Sequence, residues 1–169
     1  YSDSNGLRAC KSCPVGTYTS STASTSCSSC TKGKYTSSVG QSTCSDCAAG
    51  TYNVDIGSSS CTNCGQGAYS SAGSTTCTSC LAGKYSNIVD ASACVNCKAG
   101  TYSHGNGWTQ CKQCGYGSYS DAGEATCTAC APGRYQNALG QKDCINCAAG
   151  TYSSFGHRTC SACSKGKYQ

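Results

Sequence analysis

The chain has 169 residues, a net charge of +5 and 20 cysteines, with no methionine, one tryptophan and one phenylalanine. Only 12 residues are Leu, Ile, Val or Phe, far below the roughly 20% share under which chains drift toward disorder. That composition excludes a conventional hydrophobic core for this length, and 11% charged residues are too dilute for a nucleic-acid surface.

One unit recurs from Cys10 onward: CxxC, two residues, Gly, one residue, Tyr. Ten copies follow one another every 16 or 17 residues, and Tyr1 and Tyr168 stand in the same frame. The chain is predicted to be a single repeat array over 1–169, cut from a longer one. A second period lies on the first, because the Ala-Gly-Thr-Tyr run after Cys47, Cys97 and Cys147 returns every 50 residues. Three small copies therefore make one larger unit. The basic residues Lys34, Lys84 and Arg134 recur with it, either as a contact stripe or as a solvated face.

Within a copy, Tyr18-Thr19 and Tyr69-Ser70 have strand propensity, and the glycine two residues earlier permits a bend. The return toward the next cysteines carries an apolar residue and a glycine, as at Val39-Gly40, Ile56-Gly57, Leu139-Gly140 and Phe155-Gly156. A turn there closes a small hairpin. No stretch has helical length and period. A lone hairpin of this size is unstable, so the copies must stack. The predicted fold is small, disulfide-rich and mostly irregular, with short β-hairpins in an elongated rod of ten stacked copies. Its tyrosines are expected to be buried against disulfides as the spine, rather than to serve as a stacking platform for bases or sugars.

The CysProValGlyThrTyr run at Cys13 to Tyr18, with the next cysteine at Cys27, resembles the first loop of tumour-necrosis-factor-receptor cysteine-rich modules and the related ephrin-receptor-like repeats. All ten copies share CxxGxY, so the resemblance covers nearly the whole chain. It implies bridges Cys13 to Cys27, Cys30 to Cys44, Cys47 to Cys61, Cys64 to Cys77, Cys80 to Cys94, Cys97 to Cys111, Cys114 to Cys127, Cys130 to Cys144 and Cys147 to Cys160. Cys10 and Cys163 are then left over, to bond upstream and downstream or between subunits. The alternative closes each CxxC on itself, in rings that constrain only a few residues. Receptor modules alternate this loop with a second type, whereas here only the first repeats.

Paired CxxC motifs also approach a zinc spacing. The identical treatment of every pair and the Ser/Thr-rich composition favour an oxidising, extracellular setting instead. Asn53, Asp55 and Gly57 resemble a fragment of a calcium loop without its glutamate. His104 and His157 have no triad arrangement around them. Neither enzymatic activity nor any cofactor or metal is expected.

The expected role is mechanical, a disulfide-crosslinked extracellular rod that assembles with itself into a filament, appendage or coat. The alternative is the stalk or protein-binding ectodomain of a cell-surface receptor. Trp108, Tyr116 and Phe155 interrupt the repeat and are the candidate self-association residues. No Asn-x-Ser/Thr sequon is present. Clusters at Ser58, Ser59, Ser60, Thr75 and Thr76 are candidates for O-linked sugar, with plain solvated turns as the alternative. If sugar is attached, the intact mass of native material exceeds the 17.1 kDa of the bare segment by hexose-sized steps; a mass equal to the bare oxidised chain ends the idea.

Overall fold

A computed structural model describes residues 10–167, so Tyr1, Leu7 and Tyr168 lie outside the described residues. Two compact units are present: the described part of Tyr1–Thr78 with Ile88–Ala93, and that of Ser79–Asn87 with Cys94–Gln169. Among the described residues there is no helix, only two-residue strands joined by turns.

In the first unit, Thr17–Tyr18 pairs antiparallel with Ser28–Ser29, and Lys34–Tyr35 with Ser45–Asp46. The second unit repeats the pattern, from Lys84–Tyr85 with Val95–Asn96 to Thr151–Tyr152 with Ser161–Ala162. Each tyrosine strand thus pairs with the two residues inside the following CxxC. Two residue pairs cannot hold a hairpin in water. Bridges close each loop: nine disulfides join the second cysteine of each CxxC to the first cysteine of the next, from Cys13–Cys27 through Cys147–Cys160. These are the nine pairs that the resemblance implies. Their Cα separations of 5.6–5.8 Å sit at the usual spacing, and Cys10 and Cys163 are free thiols.

Copies are also tied to one another through the backbone. In the first unit the Gly16 amide donates to the Thr36 carbonyl at 3.0 Å, and Gly33 to Asn53 at 2.9 Å. In the second, Gly83 donates to Ser103 and Gly100 to Ser120, both at 2.8 Å. A second tie runs from the return turn to an earlier cysteine: Gly57 donates to the Cys30 carbonyl and Gly107 to that of Cys80, both at 2.8 Å. Within each unit, neighbouring copies are therefore bonded twice through the backbone, and the local hairpins gain the neighbours they lack alone.

The interior departs from the expected tyrosine spine. It is built from the second cysteine of each pair from Cys13 to Cys130 and from the residue after the tyrosine from Thr36 onward: Thr36, Asn53, Ser70, Ser86, Ser103, Ser120, Gln136 and Ser153 are all buried. Burying a hydroxyl is costly unless it is bonded. Ser70 Oγ donates to the Thr51 carbonyl at 2.9 Å, Ser120 Oγ to that of Thr101 at 3.1 Å, and Ser153 Oγ to that of Arg134 at 2.7 Å. Asn53 does the same with its amide, donating from Nδ2 to the Lys34 carbonyl at 3.0 Å. Its Oδ1 accepts from the Asp55 amide and the Ser58 hydroxyl, both at 2.9 Å. The Asn53–Asp55 pattern is thus a structural turn.

The repeat tyrosines from Tyr18 to Tyr135 are only half-buried, and Tyr152 is exposed. Every large aliphatic side chain among the described residues is at least 45% exposed. Within each unit a stack only one hairpin thick has no room for a second side-chain layer, so small buried donors that serve the passing backbone displace bulky residues outward.

The motif glycine answers to the same crowding. Gly50 has φ +87°, and a Cβ there collides with the Asp90 backbone. Gly100, at φ +82°, collides likewise with the Gly140 carbonyl. The return-turn glycines also take positive φ, with Ala23 (φ 58°) and Asp90 (φ 53°) filling that position in two copies. Ala23 has no side-chain acceptor to ease the left-handed conformation.

Candidate interaction surfaces

The second unit brings two of the three interrupting aromatics together. The Phe155-Gly156 turn sits against the motif glycine Gly117, where an added Cβ would meet the Gly156 carbonyl. Tyr116 precedes that glycine, and the Arg158 guanidinium lies 3.8 Å from the centre of its ring. Phe155 is 68% and Tyr116 46% exposed. The result is a small patch with one apolar tip, one phenol and one stacked cation, the residue types that dominate interface energetics.

Trp108 is engaged differently. Its ring meets His104 edge-on at 4.7 Å, with Lys112 Nζ 5.3 Å from its centre. It is half-buried, and its carbonyl accepts the Ser86 amide at 3.1 Å. One extra glycine, Gly105, makes space for it, since a Cβ there would come within 3.3 Å of its indole nitrogen.

The half-buried tyrosines line grooves that recur at equivalent frame positions. In the first unit Tyr18 faces Thr31, Lys34, Thr43 and Cys44, and Tyr35 faces Ser37, Ala48, Thr51, Ser59 and Cys61. In the second, Tyr85 faces Lys98, Thr101, Thr109, Gln110 and Cys111 across about 370 Å³. Each groove has a phenol ring and a cysteine of the next copy's bridge as walls, with hydroxyls along the rim. Nothing in the sequence pattern showed these grooves; the signal available was that tyrosine is too large for a one-hairpin layer.

Among the basic positions, Lys34 pairs with Asp46 across its own hairpin, and Arg134 Nη2 donates to the Cys144 carbonyl at 2.6 Å. An exposed ion pair of this kind contributes about 0–1 kcal/mol. Of the candidate glycan acceptors, Ser59, Ser60, Thr75 and Thr76 are exposed, whereas Ser58 is half-buried and its hydroxyl is committed to Asn53. Among the described residues no group of three His, Cys, Asp or Glu is placed to hold a metal ion, and no helix is long and apolar enough to cross a membrane.

The family model of tyrosine-protein kinase ephrin type A/B receptor-like proteins matches residues 1–42, 33–69 and 117–152. No curated protein matches the chain.

Proposed function

We propose that this chain, which belongs to the tyrosine-protein kinase ephrin type A/B receptor-like family, is a secreted structural protein whose copies assemble with one another into a filament, appendage or coat. Nine disulfides and this family's cysteine-rich repeat place it as an extracellular receptor-like or structural module. The observation that carries the finer reading is the patch of Phe155, Tyr116 and Arg158. The copy frame asks for nothing at Phe155 beyond a turn, since Val39, Ile56 and Leu139 fill the same place. What supports a partner there is an exposed aromatic beside Tyr116 and its stacked Arg158.

Under this reading the chain is not an enzyme. O-linked sugar on Ser59, Ser60, Thr75 or Thr76 shields a surface with little charge of its own. The test is Phe155→Ser in the purified oxidised chain, examined by sedimentation and electron microscopy. Phe155 is exposed, so stability should change by no more than about 0.5 kcal/mol, while association weakens at least about tenfold, as for the loss of an anchor residue. A wild-type chain that stays monomeric at high concentration rejects self-assembly. It leaves the second reading, a receptor stalk or protein-binding ectodomain, which the family membership favours.

A further inference from the structure

We propose that the groove floored by Tyr85 binds an anionic sugar residue of a uronic-acid or sulfated glycan. This inference is independent of self-assembly. The grooves at Tyr18, Tyr35 and Tyr85 share the ring, the disulfide wall and the hydroxyls, so what distinguishes them is decoration. At Tyr35 the lining is wholly uncharged. At Tyr18 the lysine is Lys34, whose amine is already paired with Asp46.

At Tyr85 the cation is Lys98, which follows its CxxC directly. The other described copies carry uncharged residues there, such as Pro14, Thr31, Ala48, Leu81 and Ala131. Among the described residues no carboxylate pairs with Lys98, and none lines the groove. Gln110 is equally singular, standing where Ser26, Thr43, Ser60 and Thr76 stand in other copies. The copy frame requires neither side chain, since both are exposed and the stack forms without them elsewhere.

The chemistry these groups offer is specific. A half-exposed phenol face covers the C–H face of a pyranose, as aromatic rings do in small-molecule sites. Gln110 supplies both donor and acceptor for ring hydroxyls. Thr101 Oγ1 gives its hydrogen to the Lys98 carbonyl at 2.7 Å, leaving its lone pairs to accept from a sugar hydroxyl. Lys98 supplies a compact ammonium for a carboxylate or sulfate. The volume of about 370 Å³ is at the small end of ligand sites and suits one or two sugar rings rather than a folded partner.

The test is a titration of the oxidised, ¹⁵N-labelled chain followed by NMR, with four probes: trigalacturonate, a heparin-derived tetrasaccharide, neutral maltotriose and a triglutamate peptide. Saturable shifts at Tyr85, Thr101 and Gln110 are expected with the uronate or the sulfated probe, and which of them binds identifies the anion. Lys98→Gln should weaken that binding about tenfold, as for the loss of a charge-assisted contact, with the spectrum otherwise unchanged because the side chain is exposed. Gln110→Ala is a second variant, and it should weaken binding of the same probe at the same site. Absence of binding by both anionic sugars overturns the proposal. So does equal binding of maltotriose, equal binding of the peptide, or binding that Lys98→Gln does not alter.

Discussion

Gly100→Ala is expected to unfold the middle of the second unit, at a cost on the order of 3–5 kcal/mol, the range of severe steric and backbone lesions. Two effects add. The residue sits at φ +82°, where an L side chain costs about 1–2 kcal/mol. Its Cβ also runs into the Gly140 carbonyl and comes within 3.0 Å of the Gln141 amide nitrogen. Backbone atoms cannot move aside like the end of a side chain, and Gly100 itself bonds Ser120 and Cys114 at 2.8 and 2.9 Å. Two further glycines separate the contributions. Gly133 has φ +80° but nothing within 4 Å of a built Cβ, so Gly133→Ala should show the strain alone, about 1–2 kcal/mol. Gly115 has neither strain nor a neighbour, and Gly115→Ala should be neutral or stabilising by up to about 1 kcal/mol. Hydrogen exchange resolved along the chain checks this, since a repeat stack opens locally rather than in one transition. Equal effects at Gly100 and Gly133 would show that the close approach carries no weight.

The same glycine marks where sequence reading reached and where it stopped. A bend at the motif glycine, a strand at the tyrosine and a turn at Ile56-Gly57 all follow from residue chemistry, and each is present. The joining of Cys30 to Cys44 came from resemblance, because spacing alone leaves a ring within each CxxC open. The close passage of Asp90 beside Gly50 joins residues 40 apart, and no local pattern encodes such a contact. Burial was the larger miss. Hydrophobic scales favour Tyr102 over Ser103 for the interior, yet Ser103 is fully buried and Tyr102 is not. In a layer one hairpin thick, the groups most in need of partners are peptide carbonyls, and a serine hydroxyl meets that need in less space than a phenol. A signal was present: the position after the tyrosine holds only Thr, Ser, Asn or Gln from Thr19 to Ser153. For the interaction surfaces, the oddity of Phe155 and Tyr116 was legible, but their convergence with Arg158 was not. It depends on the stacking of copies two apart.

Removing one bridge, with Cys97→Ala and Cys111→Ala together, should cost about 3 kcal/mol in the chain-entropy model for a loop of this size. The bridge spans 14 residues, and Cys97 is fully buried. Using alanine at both positions avoids leaving a lone thiol to exchange with Cys10 or Cys163, which are free. The loss should be confined in space. Cys97 gives its carbonyl to the Gly123 amide and its own amide to the Gly83 carbonyl, each at 2.8 Å, so the damage reaches one copy on either side through those bonds. Hydrogen exchange should speed up by roughly two orders of magnitude at Thr101, Ser103 and Cys114, following from that free energy at 1.4 kcal/mol per tenfold, with amides near Cys147 little changed. The physical reason is that no hydrophobic core couples distant copies; each depends on its own crosslink and on backbone bonds to its neighbours. Cooperative collapse of the whole second unit on removing this one bridge would mean that stability is pooled along the stack. The disulfides would then act as redundant reinforcement instead of as the element each copy folds around.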